Sequence, residues 1–170
     1  MEELFSAYSC LHSWVVNERN YEKAKILIYR PGQGGFGNRM RSLISAFMFS
    51  IASGRILFVD YLFPIEFKYL LDDPGWRWDL NTIANFPKEW KSFVNLNVTD
   101  LETEDTIRMK NEDFADFYKQ THTVFYEGHL DRIDLIFNNP FFKQKFEKLF
   151  ESSEKARIFM YRRLVNPSAK

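Results

Sequence analysis

Two short apolar runs enclose a helical pattern in the first third of the chain. Residues 26–28 and 56–59 are continuous apolar runs, which are typical of strands buried on both faces of a parallel sheet. Between them, apolar residues recur at helical spacing from Met40 to Ile51, and Gly54 supplies a stop for that helix. The pattern predicts a β-α-β unit. The loop after its first strand lies at the carboxyl edge of the sheet, where open α/β sheets bind ligands.

The rest of the chain adds helices and strands to this unit. Helical spacing near the N-terminus predicts a helix that packs across the sheet edge, with Leu11 and Trp14 on its apolar face. Trp76 and Trp78 are predicted to pack a loop against the domain, and the acidic residues 100–105 are predicted to form a solvated loop. The remaining predictions are helices over residues 3–18, from Asn139-Pro140 and from about 153 to 165, and strands over residues 93–98 and 123–126. The predicted fold class is α/β with a mostly parallel sheet.

Composition narrows the possible functions. The chain has 170 residues and is 45% hydrophobic, which is typical of one globular domain. Basic and acidic residues both total 23, so the overall charge gives no indication of nucleic-acid binding. Cys10 is the single cysteine, which excludes an intramolecular disulfide and a cysteine-based zinc cluster. His12, His122 and His129 are isolated and lack ligand spacing, so no metal site is predicted. No stretch approaches the roughly 20 apolar residues of a membrane span, and no signal segment is recognisable.

The glycine-rich loop matches a dinucleotide-binding pattern. Residues 32–37 read G-x-G-x-x-G, and Asp60 follows at the end of the next predicted strand. In that pattern the glycines admit a pyrophosphate to a helix N-terminus, and the acid holds the ribose hydroxyls. Arg30-Pro31 separates the predicted strand from the first glycine, which argues against this interpretation. A small NAD(P)-binding protein remains one alternative.

A second interpretation comes from resemblance. The sequence from Gly34 to Arg39, the apolar helix after it and residues 54–60 resemble the first conserved block of the fucosyltransferase superfamily, in particular the xyloglucan-type α-1,2-fucosyltransferases. Further similar pieces follow in the same order, at residues 63–67, 76–80, 139–142 and 165–168. Such enzymes transfer fucose from GDP-fucose to an acceptor sugar with inversion and without a required metal. They consist of two Rossmann-like domains that face a cleft, the GT-B arrangement.

The resemblance implies a role for one half of such an enzyme. Residues 1–170 correspond to a single N-terminal Rossmann-like domain of three layers, on the acceptor side of the cleft and bordering the donor diphosphate. The C-terminal nucleotide-sugar domain would begin beyond residue 168, so we expect the chain to be an inactive fragment by itself, with no catalytic residue of its own. It implies a Golgi location, GDP-fucose and a glycan acceptor as partners, no cofactor, and self-association through the uncovered cleft face. The implied donor-binding residues are Gly34, Gly35, Phe36, Gly37, Asn38, Arg39 and Asp60.

Simpler roles stay open for several of these residues. The glycines are also compatible with a purely structural turn, with Gly37 at a positive φ. Asn38 is a suitable N-cap for the predicted helix, and Asp60 could cap the following turn. Arg39 and Arg41 could lie on the solvated face of the helix. A non-catalytic carbohydrate-binding remnant is the third functional alternative.

Overall fold

The computed structural model describes residues 2–60, 71, 74–80, 83, 86–87 and 92–165. Four strands form one sheet in the order β2-β1-β4-β3, and every pairing is parallel, which confirms the predicted α/β class. The strands are β1 (Ile26–Pro31), β2 (Ile56–Val59), β3 (Phe93–Asn97) and β4 (Thr123–Gly128). The helices are α1 (Glu2–Asn17), α2 (Phe36–Ser53), α3 (Glu104–Asn111), α4 (Phe114–Phe117), α5 (Ile133–Phe137), α6 (Lys143–Phe150) and α7 (Ser153–Leu164).

The predicted β-α-β unit forms the centre of the domain. In β1, Ile28 lies opposite Phe58 of β2 and opposite Phe125 of β4, so β1 is an interior strand. Helix α2 connects β1 to β2 and ends at Gly54, whose φ of 64° supplies the left-handed cap that the sequence predicts. The chain then crosses from one edge of the sheet to the other before β3 begins.

Helix α2 carries most of the core. Every residue from 42 to 53 is buried, because α4, α5 and α7 pack around α2 on the side away from the sheet. This explains why its apolar character extends beyond a single stripe. A smaller cluster covers the opposite face of the sheet. It consists of Val15, Val16, Tyr21, Ile26, Ile28, Ile56, Phe58, Ile83 and Phe125.

Helix α1 packs across the sheet edge as predicted, and Tyr8 and Val15 of the predicted face are buried, but the buried face is rotated away from the rest of that face. The Tyr8 hydroxyl accepts a 2.7 Å hydrogen bond from the Leu57 backbone N–H, and His12 Nε2 lies 3.2 Å from the Leu57 carbonyl oxygen. Leu11 and Trp14 are 48% and 43% exposed, so their predicted burial is wrong. Polar contacts to the open edge of β2 decide which face turns inward, and apolar periodicity does not carry that information.

Two other local predictions need correction. The acidic stretch is only partly a loop, because Glu104 and Asp105 begin α3 after the Thr103 N-cap. The helix predicted from Asn139 begins at Lys143 instead. The Asn139 side chain accepts a hydrogen bond from the Phe141 N–H and donates to two carbonyls near the end of α3, which holds residues 139–142 in a turn.

Two buried groups anchor distant parts of the chain. Trp76 and Trp78 are 4% and 1% exposed, which confirms that they pack against the domain. Arg55 is 1% exposed and directly precedes β2. Its Nη1 donates to the carbonyls of Ile26 and His122 at 3.2 and 3.0 Å. Its Nη2 donates to the carbonyls of Tyr118 and Thr121 at 2.6 and 2.9 Å. Burial lowers the pKa of the Arg55 guanidinium to about 10, so the side chain remains charged at neutral pH.

Candidate functional site

A cleft of about 490 Å³ lies at the carboxyl edge of the sheet. The ends of β1 and β4, the residue after β2 and the first turn of α2 contribute to it. In a parallel sheet all these ends point to the same edge, so residues far apart in sequence meet there. The lining residues are Arg30, Pro31, Gly32, Gln33, Arg39, Asp60 and Glu127.

Charged side chains form a row along the floor of this cleft. Arg30 of β1 is in register with Glu127 of β4, and Asp60 follows β2 on the other side of Arg30. Arg30 Nε lies 3.1 Å from Asp60 Oδ2, and the two side chains are 47% and 30% exposed. An ion pair this open to water contributes little to stability, on the order of 0–1 kcal/mol. The Arg30 guanidinium also lies 4.0 Å above the ring centre of Phe125. Acidic and basic groups are therefore held side by side and remain accessible to a ligand.

The glycine loop connects β1 to the start of α2. The Gly32 N–H donates to the Gly128 carbonyl at 2.9 Å, which extends the pairing of β1 and β4 by one residue. Gly35 is the N-cap of α2, and its carbonyl accepts from the N–H groups of Asn38 and Arg39. The N–H groups of Phe36 and Gly37 have no acceptor among the described residues. Such free donors at the positive end of a helix dipole form a favourable environment for an anion.

Two predictions about individual loop residues are wrong. Asn38 does not cap the helix, because Gly35 holds the N-cap position and no side-chain cap bond is present. Gly37 does not have a positive φ, and a Cβ added there would meet nothing within 4 Å. The strained position is Gly34, with a φ of 144° and with His129 Cβ only 3.4 Å from where a Cβ would stand. A run of four glycines in six residues does not indicate which of them needs the special conformation.

The structure places the predicted binding residues at one edge, in two groups. Arg39 and Asp60 line the cleft, while Phe36 and Gly37 expose their free N–H groups in the first turn of α2. The Tyr29 hydroxyl donates to the Arg39 carbonyl at 2.8 Å and fixes this turn against β1. Asp60 pairs with Arg30, and the turn after Asp60 lies outside the described residues. Arg41 is exposed on the helix surface, as the simpler interpretation proposed.

Sequence reasoning missed Arg30, Glu127 and His129 as site residues. Arg30 and Glu127 line the cleft, and the His129 ring lies against the glycine loop. A signal existed for the last two, because they lie at the end of a predicted strand of a parallel sheet. The strand was predicted to end at residue 126, however, and it continues to Gly128. This difference of two residues removed both side chains from consideration.

The described residues contain no group of three or more His, Cys, Asp or Glu that could hold a metal ion. Within the same residues, no helix is both long and apolar enough to cross a membrane.

Comparison with known proteins identifies the architecture. No protein-family model matches the sequence, and no curated protein matches it. Among solved structures, the chain matches the fucosyltransferase FUT1 of Arabidopsis thaliana, in an arginine-to-lysine mutant in complex with GDP, with a TM-score of 0.79 and 16% sequence identity. The chain has the fold of a glycosyltransferase Rossmann-like domain. The match covers 97% of this Rossmann-like domain and 46% of the FUT1 chain, so the sequence spans less than half the length of that neighbour.

The two loop glycines should respond differently to substitution. Gly34→Ala forces an L side chain into a φ of 144° against His129, so we expect it to lower the free energy of unfolding by about 1–3 kcal/mol. Gly37→Ala enters open space in a helical turn, where alanine is favoured by about 0.5–1 kcal/mol. Urea unfolding of both variants measures the difference. Equal stability of the two would mean that Gly34 is not strained.

Proposed function

We propose that this Rossmann-like domain forms one wall of the substrate cleft of a GDP-fucose-dependent glycosyltransferase of the xyloglucan α-1,2-fucosyltransferase type. The observation that carries the proposal is the match to a GDP-bound fucosyltransferase over 97% of the chain. The glycine loop supports it, because Gly32 and Gln33 line an open cleft at the carboxyl edge of the sheet and the free N–H groups of Phe36 and Gly37 follow in the next turn. Residues 34–39 would border the donor diphosphate.

The chemistry of transfer fits the charges at this edge. When the acceptor hydroxyl attacks the anomeric carbon of fucose, the bond from that carbon to the diphosphate oxygen breaks, GDP leaves with the electron pair and the hydroxyl proton is released to solvent. Negative charge therefore grows on the diphosphate. The Phe36 and Gly37 N–H groups and the Arg39 guanidinium would stabilise that charge. Fixed donors of this kind act mainly through electrostatic preorganisation, and one of them can be worth about 10²–10³ in rate.

The acidic side chains of the cleft would bind the hydroxyl groups of a sugar. Asp60 and Glu127 lie on either side of Arg30 in the cleft. A carboxylate accepts hydrogen bonds from sugar hydroxyls, and a guanidinium donates to the ring and hydroxyl oxygens. Their mixed signs suit a neutral sugar better than a second anionic group. We propose that this row orients fucose or the acceptor glycan relative to the diphosphate, which contributes to rate by proximity.

We further propose that catalysis needs a second domain. The FUT1 chain is about twice as long as this one, and the GT-B arrangement that the sequence resemblance implies has its cleft between two domains. Residues 1–170 would supply the N-terminal wall, with a location in the Golgi, and would self-associate through the uncovered cleft face. Fucose transfer by this chain alone is then expected to stay at background.

Calorimetric titration with GDP, GDP-fucose and NAD tests the proposal. We expect weak binding of GDP and GDP-fucose, no tighter binding of NAD, and no change when Mg²⁺ is added. An assay with GDP-fucose and galactose-terminated acceptors tests the need for a second domain. Tight NAD binding without any effect of GDP would overturn the glycosyltransferase proposal. Turnover above background would overturn only the assignment of catalysis to a second domain.

The NAD(P) alternative keeps one specific observation in its favour. Strand β1 continues to Pro31, so Gly32 directly follows the strand and the objection based on Arg30-Pro31 does not hold. The strand order argues the other way. In the usual dinucleotide-binding half the third strand lies beyond the second, in the order 3-2-1. Among the described residues, the position beyond β2 carries only the isolated parallel bridge of Asp79 to Val59, and β3 lies at the opposite edge of the sheet. We therefore retain NAD as the competitor in the titration and the glycosyltransferase as the proposal.

A further inference from the structure

His129 lies beside the glycine loop although 97 residues separate it from Gly32. It is the first residue after β4, and β4 pairs with β1 up to the opposition of Gly128 and Pro31. The bond from the Gly32 N–H to the Gly128 carbonyl holds the two chain segments together one residue further. The position of His129 is therefore fixed by the sheet itself and not by a free loop.

The imidazole and the loop are fitted to each other. A Cβ at Gly32 would stand 3.2 Å from His129 Nδ1, and a Cβ at Gly34 would stand 3.4 Å from His129 Cβ and 3.7 Å from Cδ2. The same Gly34 position is 3.7 Å from Asn38 Cβ, in the first turn of α2. The ring thus covers two glycines beside the helix start where Phe36 and Gly37 have free N–H groups.

The ring nitrogens of His129 differ from those of the other two histidines. His12 bonds to the Leu57 carbonyl, and His122 bonds to the Thr123 hydroxyl and the Tyr21 carbonyl. Neither nitrogen of His129 has a hydrogen-bond partner in the part of the chain that the structure describes, and Nδ1 is buried against Gly32. Nε2 is not fully buried, so the half-buried ring leaves it accessible. A half-buried imidazole with one accessible nitrogen beside an anion-binding loop is placed to contact a ligand.

We propose that His129 is a ligand-binding residue of the glycine loop, whose Nε2–H donates to an oxygen of the diphosphate held at the start of α2. This inference rests on the proposed function, because it takes the ligand to be a nucleoside diphosphate. It adds a side-chain donor from the residue after β4 to the backbone donors of α2. It also gives Gly32 and Gly34 a reason to be glycine that does not depend on the ligand approaching them.

Three substitutions distinguish the two ring nitrogens. In His129→Gln the amide nitrogen reaches the place of Nε2, whereas in His129→Asn it reaches the place of Nδ1. His129→Leu keeps similar volume without a donor. A hydrogen bond to a charged group is worth enough that its loss should weaken binding of GDP and of inorganic pyrophosphate about tenfold or more. We expect this loss in His129→Asn and His129→Leu, with binding close to wild type in His129→Gln.

His122→Gln is the matched control, because His122 precedes β4 at the opposite edge of the sheet. Its affinity for both probes should stay at the wild-type value. A second measurement needs no variant. In long-range ¹H–¹⁵N spectra recorded during the pyrophosphate titration, the Nε2 resonance of His129 should shift and that of His122 should not.

The possible results of these measurements separate the proposed function from the role of His129. Wild-type protein that binds neither probe would overturn the proposed function and this inference together. Wild-type protein that binds, with unchanged affinity in His129→Leu or an unmoved Nε2 resonance, would overturn only the role of His129. If His129→Asn kept wild-type binding of the two probes and His129→Gln lost it, the contact would belong to Nδ1 and the proposal as stated would be wrong.

Discussion

Replacing Arg55 by methionine is expected to lower the free energy of unfolding by about 3–5 kcal/mol. The guanidinium donates to four backbone carbonyls, from β1, from the segment between α4 and β4, and from the residue just before β4. Hydrogen bonds from a charged donor contribute about 1.5–3 kcal/mol each, but the substitution also removes the cost of burying a cation. The net loss is therefore smaller than the sum of four bonds. Urea unfolding at neutral pH measures it as a shift of the midpoint at constant slope.

Two further variants separate the bonds of Arg55 from its charge. Arg55→Lys keeps the charge but places one nitrogen where two stood, so an intermediate loss is expected. Arg41→Met removes an exposed guanidinium from α2 and should stay within about 0.5 kcal/mol of wild type. If Arg55→Met matched Arg41→Met, the four carbonyls would have to be satisfied by other groups and the anchoring role of Arg55 would be lost.

Acidification from pH 6.5 to about 4 is expected to destabilise the fold through His12. Burial, the dominant cause, lowers the pKa of His12 to about 4 from an ordinary value of 6.5, while the bond to the Leu57 carbonyl opposes the shift. Between these two values the unfolded chain binds a proton that the folded chain does not, so stability rises with pH across this window. The stabilisation that comes from the neutral form of His12 is fully present above pH 6.5 and is lost as the pH falls towards 4. At about 1.4 kcal/mol per pH unit, the contribution reaches about 3 kcal/mol.

His12→Phe isolates this contribution from that of other titrating groups. Phenylalanine suits the surroundings of His12, which include the rings of Tyr8, Phe58 and Trp76. Unfolding free energies of both proteins are measured at several pH values from 7 to 4, and their difference is followed. We expect that difference to change by about 3 kcal/mol in favour of the variant as the pH falls. A constant difference would mean that His12 titrates alike in the folded and unfolded chains.

The central unit was predictable because its signals are local and agree with one another. Residues 26–28, residues 56–59, the helical period after Met40 and Gly54 each indicate the same β-α-β arrangement, and all are found. The burial of Phe146 and Phe150 on one face of α6 follows from spacing in the same way. Where periodicity, turn chemistry and length point to one answer, sequence suffices.

The site was only partly predictable because its geometry is not local. The carboxyl-edge rule led to the glycine loop and Asp60, which the structure brings to one edge. The rule could not show that Asp60 pairs with Arg30, since that depends on the register of β1 and β2. Nor could spacing reveal that His129 covers Gly34, since β4 pairs with β1 across most of the chain length.

The contacts of α1 with β2 also bear on the order of folding. Tyr8 and His12 reach Leu57 across 49 and 45 residues, so these contacts close a long loop and are entropically costly to form early. The backbone of Trp78 covers the next position on the same edge, again from outside the strand, by accepting from the Val59 N–H at 2.8 Å. Until helix α1 and the backbone of Trp78 have packed there, the outer edge of β2 is open to pairing with any other extended chain. Packing of the N-terminal helix on β2 therefore protects the sheet from pairing with a wrong strand during folding.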